Sequence, residues 1–184
     1  MADNLKAIIE SLLFVTDGAL SIKRLKSVLG DDITVQEIKE AVRGLMVDYE
    51  TEKRGFILHE VAGGYQFRTR PEYKEWIVKL KQLSPARLSR AALETLAVIA
   101  YKQPVLRTDV EHLRGVDSSG IFRTLLEKDL IRVLGRKDLP GRPILYGTTR
   151  RFLEVFGLRE LGCLPSLDEM EQLEISWPSG SKSS

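Results

Sequence analysis

The side chains that could do chemistry in this sequence are mostly cationic, and they gather between residues 132 and 151. The arginines and lysines of this basic cluster are Arg132, Arg136, Lys137, Arg142, Arg150 and Arg151. Guanidinium and ammonium groups bind carboxylates and phosphates, so the cluster indicates contact with an anionic partner. The stretch 135–141 also contains glycines, but it falls between two predicted strands and makes a poor phosphate cradle. A solvated loop without a partner is the alternative interpretation.

Residues that could act as nucleophiles, bases or metal ligands are few. His59 and His112 are far apart in the chain, and Cys163 is the only cysteine. A structural zinc site needs about four Cys or His ligands. The sequence also has no Gly-x-x-x-x-Gly-Lys phosphate loop and no Gly-x-Ser-x-Gly nucleophile elbow. We therefore predict a protein that is not an enzyme and has no cofactor or metal, in which Cys163 is buried and His59 is an exposed or half-buried strand residue.

A helix followed by a two-stranded hairpin must position the basic cluster. Asp117 or Ser118 is a suitable N-cap, and apolar residues follow at helical spacing. These residues are Ile121, Phe122, Leu125, Leu126 and Leu130. The stretches 131–135 and 144–146 are predicted strands, joined by a turn at Pro140-Gly141. Helix, strand, basic loop and strand are the recognition helix and wing of a winged helix.

Two further helices are predicted just upstream of this unit. In the stretch 89–101, the residues Leu93, Leu96, Ala97 and Ala100 form an apolar stripe. Pro104 ends that helix, and 108–113 forms a short second helix with Gly115 as its C-cap. Three helices and a hairpin complete a winged helix-turn-helix domain.

The first half of the chain repeats the same order of elements. One helix is predicted over 5–15 and a second from the N-cap Ser21 to Gly30. A third helix begins at the N-cap Thr34, which forms a capping box with Glu37. A hairpin follows with strands at 56–61 and 65–69 and a Gly63-Gly64 turn, and then an amphipathic helix over 72–83 around Trp76, Ile77 and Leu80. We expect a mainly α, α+β fold made of two tandem winged helix-turn-helix domains.

Charge follows the same division. Residues 1–83 have net charge 0, residues 84–157 have +5 and residues 158–184 have −3, which together give the chain's +2. We predict an N-terminal domain with a linking helix over 1–83, a C-terminal domain over 84–157, and an acidic, partly disordered tail over 158–184. The sequence shows no transmembrane stretch and no signal peptide, and its single cysteine fits a reducing cytosol.

The third helix of the second domain offers little for reading DNA. Its predicted exposed face contains Ser118, Ser119, Arg123 and Glu127, and a reading helix presents several residues that contact base edges. The third helix of the first domain is acidic, with Glu37, Glu40 and Asp48. Protein binding is therefore the favoured role, and a winged-helix DNA-binding transcriptional regulator is the alternative.

Long motifs in both halves resemble the bacterial segregation and condensation protein B family. They are the stretches 88–105, 114–120 and 130–149 in the second half, and 8–18 and 63–69 in the first. The resemblance implies a non-catalytic homodimer that dimerises through its N-terminal domain. It also implies binding to the kleisin segregation and condensation protein A, and through the kleisin to the SMC ATPase, with DNA contacted at most weakly or indirectly. The implied role is chromosome condensation and segregation during cell division, in the cytoplasm at the nucleoid and not at a membrane.

The partner-binding residues are predicted mainly from positions that match the family motifs. They are Tyr101, Arg114, Arg123, Arg136, Lys137, Arg142 and Tyr146. Arg136, Lys137 and Arg142 are the ones we expect to meet an acidic partner surface, because a backbone requirement does not explain them.

Overall fold

The first half of the chain folds into three helices, a hairpin and a fourth helix. The computed structural model describes residues 2–81, 88–166 and 169. Within them the first-half elements are α1 (Ala2–Val15), α2 (Ile22–Leu29), α3 (Val35–Thr51), β1 (Phe56–Val61), β2 (Gly64–Thr69) and α4 (Lys74–Lys81). A single 3₁₀ turn, Pro71–Tyr73, precedes α4. This is the predicted order of a winged helix.

The starts of α2 and α3 are fixed by side chains that accept orphan amides. Ser21 accepts a hydrogen bond from the amide of Arg24. Thr34 and Glu37 form the predicted capping box, in which each side chain accepts from the other residue's amide. The helices then enclose a core of buried residues with the first strand. Its members are Ile9, Leu13, Leu25, Ile38, Ala41, Val42, Leu45, Tyr49 and Leu58.

The first hairpin turns one residue earlier than predicted. Ala62 and Gly63 occupy the turn with φ of 51° and 66°, as a two-residue hairpin with the twist of its strands requires. Gly64 pairs with Val61 inside the ladder. A Cβ on Gly64 would lie 2.7 Å from the carbonyl carbon of Leu20, so glycine is needed there for close approach of two backbone segments.

The fourth helix leaves much of its apolar surface exposed, although the ring of Trp76 meets that of Tyr73 edge-on with centroids 6.3 Å apart. Trp76 is 64% exposed and Leu80 is 83% exposed. The amphipathic pattern correctly predicted a helix but not its packing. Leu83, the predicted end of this helix, lies outside the described residues.

The second half repeats the first and adds one strand. Its elements are α5 (Arg90–Lys102), β3 (Val105–Leu106), α6 (Arg107–Arg114), α7 (Ser119–Glu127), β4 (Ile131–Arg136), β5 (Ile144–Thr148) and α8 (Arg150–Phe156). Ser89 caps α5 through the amide of Ala92, and Gly115 ends α6 in the left-handed conformation. The core consists of Leu96, Ile99, Ala100, Val105, Val110, Phe122, Leu125, Leu130, Ile131 and Phe152.

The buried face of α5 differs from the predicted stripe. Ala92, Thr95, Leu96, Ile99 and Ala100 are buried, whereas Leu93 is 45% exposed and Ala97 is exposed. Both Leu93 and Ile99 are apolar, so the periodicity fits either face, and packing against α7 and β5 selects the face that contains Ile99. Leu126 on α7 is likewise exposed.

A third strand, which the sequence did not predict, joins the second hairpin. The sheet order is β3-β5-β4, with Val105 opposite Tyr146. The first half has the same feature in reduced form, an isolated bridge between Leu20 and Tyr65. Corresponding elements therefore make corresponding pairs, and the fold contains two winged helices in tandem.

The chain after α8 continues to pack on the second half before it leaves the described residues. Leu158 and Leu164, in the segment predicted as a tail, pack against the second core. Cys163 is exposed and not buried as predicted, because it lies in a 3₁₀ turn, Leu161–Cys163, on the surface. His59 is half-buried in β1, as expected. The predicted disorder of the last residues falls outside the described part of the chain.

Across the described ranges, the structure contains no helix with the length and apolar character that crossing a bilayer requires.

Candidate partner-binding surfaces

The second wing presents three of the predicted binding residues together. Arg136 donates from Nη1 to the carbonyl of Arg142 at 3.0 Å, and the amide of Lys137 donates to the carbonyl of Pro143 at 2.8 Å. Gly141 and Arg142 have φ of 82° and 42° and reverse the chain. Arg136, Lys137 and Arg142 are all exposed. The wing therefore holds three cationic side chains on a short, hydrogen-bonded loop.

Tyr146 lies at the base of this wing and joins it to the recognition helix. Its ring meets the ring of Phe122 edge-on, with centroids 4.8 Å apart. A cavity of about 250 Å³ opens beside it. The cavity is lined by Leu106, Arg107, Thr108, Pro143, Ile144 and Tyr146. Tyr146 can therefore line a small binding surface while it also fixes the wing to α7.

Arg114 has structural partners inside the second half. Its side chain is 9% exposed and pairs with Glu94 at 3.1 Å, and it donates to the hydroxyl of Ser118 at 3.3 Å. The pKa of Glu94 is lowered, first by the hydrogen bond from Arg114 and then by that from Arg90. Arg114 therefore connects α6 to α5, and little of its side chain is open to a partner.

The outward face of α7 is less polar than the sequence predicted. Ser118 is 1% exposed, so the prediction that it belongs to the exposed face is wrong. Its amide donates to Glu111 at 3.2 Å and its hydroxyl accepts from Arg114 at 3.3 Å, so its polar groups have partners inside the fold. Arg123 is exposed but pairs with Glu127 at 2.9 Å, which neutralises it. The pKa of Asp117 is lowered, chiefly by a hydrogen bond from Ser119.

Tyr101 is near the end of α5 and is 39% exposed. Its hydroxyl donates to the carbonyl of Pro165 at 2.7 Å. The predicted residues are thus spread over several elements: Arg136, Lys137 and Arg142 on the wing, Tyr146 at its base, and Tyr101, Arg114 and Arg123 on α5, α6 and α7. Their partner-binding roles stay predictions.

A groove in the first half was not predicted. It measures about 480 Å³ and lies between α1 and α3. Its apolar lining residues are Leu5, Ile8, Ile33 and Ala41, its acidic ones are Asp32, Glu37 and Glu40, and Asn4 and Lys6 complete the lining. The ammonium of Lys6 pairs with Asp48 at 2.9 Å, which leaves the acidic residues in excess. An apolar floor with acidic groups at its rim fits a peptide that has apolar and basic side chains. The signal in the sequence is the acid on α3, which argues against phosphate binding and for a protein contact but does not by itself predict a groove.

The described residues contain no group of three or more His, Cys, Asp or Glu side chains that could hold a metal ion. The surfaces described above offer a partner cationic side chains on the wing and an apolar groove with acidic residues.

Known proteins of similar sequence indicate the family of this chain. The family described as segregation and condensation complex subunit ScpB matches residues 7–167. The segregation and condensation protein B of Syntrophotalea carbinolica is 52% identical over 169 residues, which cover 92% of this chain and 85% of that protein. The corresponding protein of Moorella thermoacetica is 47% identical, with coverage of 92% and 86%.

A solved structure is also similar in sequence. The crystal structure of ScpB from Mycobacterium tuberculosis is 33% identical, covers 86% of this chain and 98% of that one, and superposes with a TM-score of 0.42. Two findings from sequence show the family. They are the family match over residues 7–167 and the identities of 52% and 47% to the two relatives. The chain therefore belongs to the family of the segregation and condensation complex subunit ScpB.

Proposed function

We propose that this chain is a non-catalytic accessory subunit of a bacterial SMC–kleisin complex and binds the kleisin ScpA. Its role is to support chromosome condensation and segregation, in the cytoplasm at the nucleoid. The observation that supports this most is the family match, which covers both winged helices and not one module alone. Winged helices with little capacity to read bases, and with apolar and charged surfaces, suit a subunit that binds other proteins.

The groove between α1 and α3 is the surface best suited to a kleisin segment. Ile8 is 40% exposed at its edge, and Glu40 belongs to its acidic rim. Apolar side chains of a bound peptide would supply contact area, and basic ones would complement the rim. The wing, with opposite charge, would take an acidic part of the same partner or of another subunit.

The division of the chain is part of the proposal. Residues 1–83 form the dimerising domain with its linking helix, 84–157 the second domain, and 158–184 the tail. A chain truncated after Ser84 should remain a dimer by light scattering. A monomer would place the dimer interface elsewhere without affecting the kleisin proposal.

The experiment that tests the function is a tagged pull-down from native lysate, treated with nuclease and washed at moderate salt. The kleisin and the SMC subunit should be recovered together. An Ile8→Glu variant introduces a charge at the groove and should recover less kleisin, while Val47→Glu, on a residue that is 59% exposed and outside the groove lining, serves as the matched control. Recovery of neither subunit would contradict the proposal.

The DNA-binding regulator is the weaker alternative. The ion pair of Arg123 with Glu127 and the burial of Ser118 reduce what α7 can offer to base edges. A regulator should bind duplex DNA at physiological salt, with an affinity that falls steeply as salt rises. An interface with an apolar centre should instead be largely salt-resistant.

A further inference from the structure

The two winged helices are joined by backbone hydrogen bonds far from the linker. The amide of Ala62 donates to the carbonyl of Leu158 at 2.9 Å, and the amide of Gly63 donates to the carbonyl of Arg159, also at 2.9 Å. The donors are the turn residues of the first hairpin. The acceptors belong to the segment directly after α8, so the tip of one wing pairs with the end of the other half.

Side chains on α8 and β2 complete the contact. Glu154 accepts at Oε1 from the amide of Ala19 at 3.2 Å, and Arg150 donates to the carbonyl of Ala19. In the other direction, Arg68 on β2 donates to the carbonyl of Glu154. Both the amide and the carbonyl of Ala19 are therefore bonded to α8.

The local sequence is shaped for this contact. Glu154 is 11% exposed in its side chain and lies near Arg150 and Arg151, at 3.7 and 3.8 Å, so its charge is compensated. Gly157 ends α8 with φ of 67° and redirects the chain toward the hairpin. A Cβ on Gly18 would lie 3.1 Å from Oε1 of Glu154, so the Glu154 carboxylate also lies close to the backbone before α2.

The contact differs in character from the two cores. Each core cluster and the apolar residues packed on it come from one half only. The contacts between the halves that we describe are hydrogen bonds and charges. Contacts of this kind between domains resemble transient interfaces, and relative motion is the default expectation where no large apolar interface exists.

We propose that the segment Arg150–Arg159, which we call the clasp, docks reversibly on the first half and sets the orientation of the basic wing relative to the groove. Leu158 and Leu164 pack on the second core, so the clasp moves with the second half as one body. When the clasp is docked, the groove and the wing have one fixed relative orientation. A partner that contacts both surfaces would bind them in that orientation. Opening requires the hydrogen bonds at Ala19, Ala62 and Gly63 to break together.

Amide hydrogen exchange of the full-length protein tests this. Removing the Glu154 side chain takes the acceptor from the amide of Ala19 and the carboxylate partner from Arg150 and Arg151, while the carbonyl acceptors of Ala62 and Gly63 remain. If the clasp opens as a unit, Glu154→Ala raises exchange at Ala62 and Gly63 as well, by about tenfold for the loss of one charge-assisted hydrogen bond. Glu160→Ala is the matched control, because that carboxylate is 65% exposed and pairs with Arg159.

A second variant separates opening from unfolding. Gly18→Ala removes no hydrogen-bonding side chain but presses on Glu154, and should raise exchange at Ala62 and Gly63 in the same direction. Core amides at Leu45 and Ile99 should keep their protection in both variants. The clasp is refuted if exchange rises at Ala19 alone, or if all three amides exchange in the unaltered protein as fast as an exposed loop.

Discussion

Arg114 and Glu94 form an ion pair of 3.1 Å that ties α6 to α5. The same guanidinium reaches Ser118, the buried residue directly before α7. One side chain thus connects three helices of the second winged helix. Arg114 had been predicted as a partner contact from its motif position, and its packing gives a different reason for an arginine at this place.

Replacing Arg114 by alanine should therefore lower stability. We expect the free energy of unfolding to fall by about 1 kcal/mol, because the hydroxyl of Ser118 loses a donor in a buried position. Arg123→Ala is the comparison, since that side chain is 82% exposed and surface pairs contribute little. Urea unfolding of both variants measures the difference. Equal stabilities would mean that the contacts of Arg114 with Glu94 and Ser118 contribute nothing to the fold.

The buried face of α5 can be tested by two apolar truncations. Ile99→Ala should cost about 2–5 kcal/mol because Ile99 is fully buried and leaves a cavity. Leu93→Ala, at a residue that is 45% exposed, should cost less than about 1 kcal/mol. Thermal unfolding gives both values. The reverse order would mean that the predicted stripe, and not the observed face, packs in the core.

Gly64 should not tolerate a side chain. A Cβ there would lie 2.7 Å from a backbone atom of Leu20, and overpacking of this kind costs about 1–3 kcal/mol. Gly55→Ala is the control, because a Cβ at Gly55 meets nothing within 4 Å. Comparison of the two unfolding midpoints in denaturant tests this. A Gly64→Ala protein as stable as Gly55→Ala would contradict the close approach of the hairpin to the backbone of Leu20.

The capping box at the start of α3 should make stability depend on pH. The pKa of Glu37 is lowered, first by the side-chain hydrogen bond from Thr34 and then by its backbone one. A lowered folded-state pKa means that stability is present above the ordinary value of 4.5 and is lost as pH falls through the folded-state pKa. Thr34→Ala should cost about 1 kcal/mol at neutral pH.

That cost should shrink in acid. Protonated Glu37 no longer accepts a charge-assisted hydrogen bond from the Thr34 hydroxyl. The amide of Glu37 still donates to that hydroxyl. Unfolding curves of the unaltered protein, Thr34→Ala and Glu37→Gln across the acidic range provide the measurement. A Thr34→Ala penalty that stays constant would mean that the charged bond contributes nothing.

The wing should bind its partner through charge. Arg142→Glu reverses an exposed cation at the turn of the wing and should weaken partner recovery several-fold without changing the unfolding midpoint. Lys23→Glu makes the same charge change on exposed α2 and serves as the control. Calorimetric titration with the recovered partner measures the affinities, and identical values for the two variants would remove Arg142 from the binding surface.

Much of the fold follows from local signals. Ser21, Thr34 and Ser89 are strong caps that accept the amides expected of them. Helical spacing, the turn at Gly141 and the repeated order of elements then predict two winged helices. The two-residue strand β3 was missed because two apolar residues have no period, and only pairing with β5 makes them a strand.

Sequence by itself determined the elements, their order, the family and the cationic wing, because caps, turns and periodicity act over a few residues. Tertiary structure decided which side chains remain available. Ile99 and not Leu93 is buried, Arg114 is taken up by Glu94, and an acidic groove forms between α1 and α3. The bonds of Ala62 and Gly63 to Leu158 and Arg159 likewise join residues distant in the chain. Contacts of this kind depend on where whole elements come to lie in space, which no local pattern encodes.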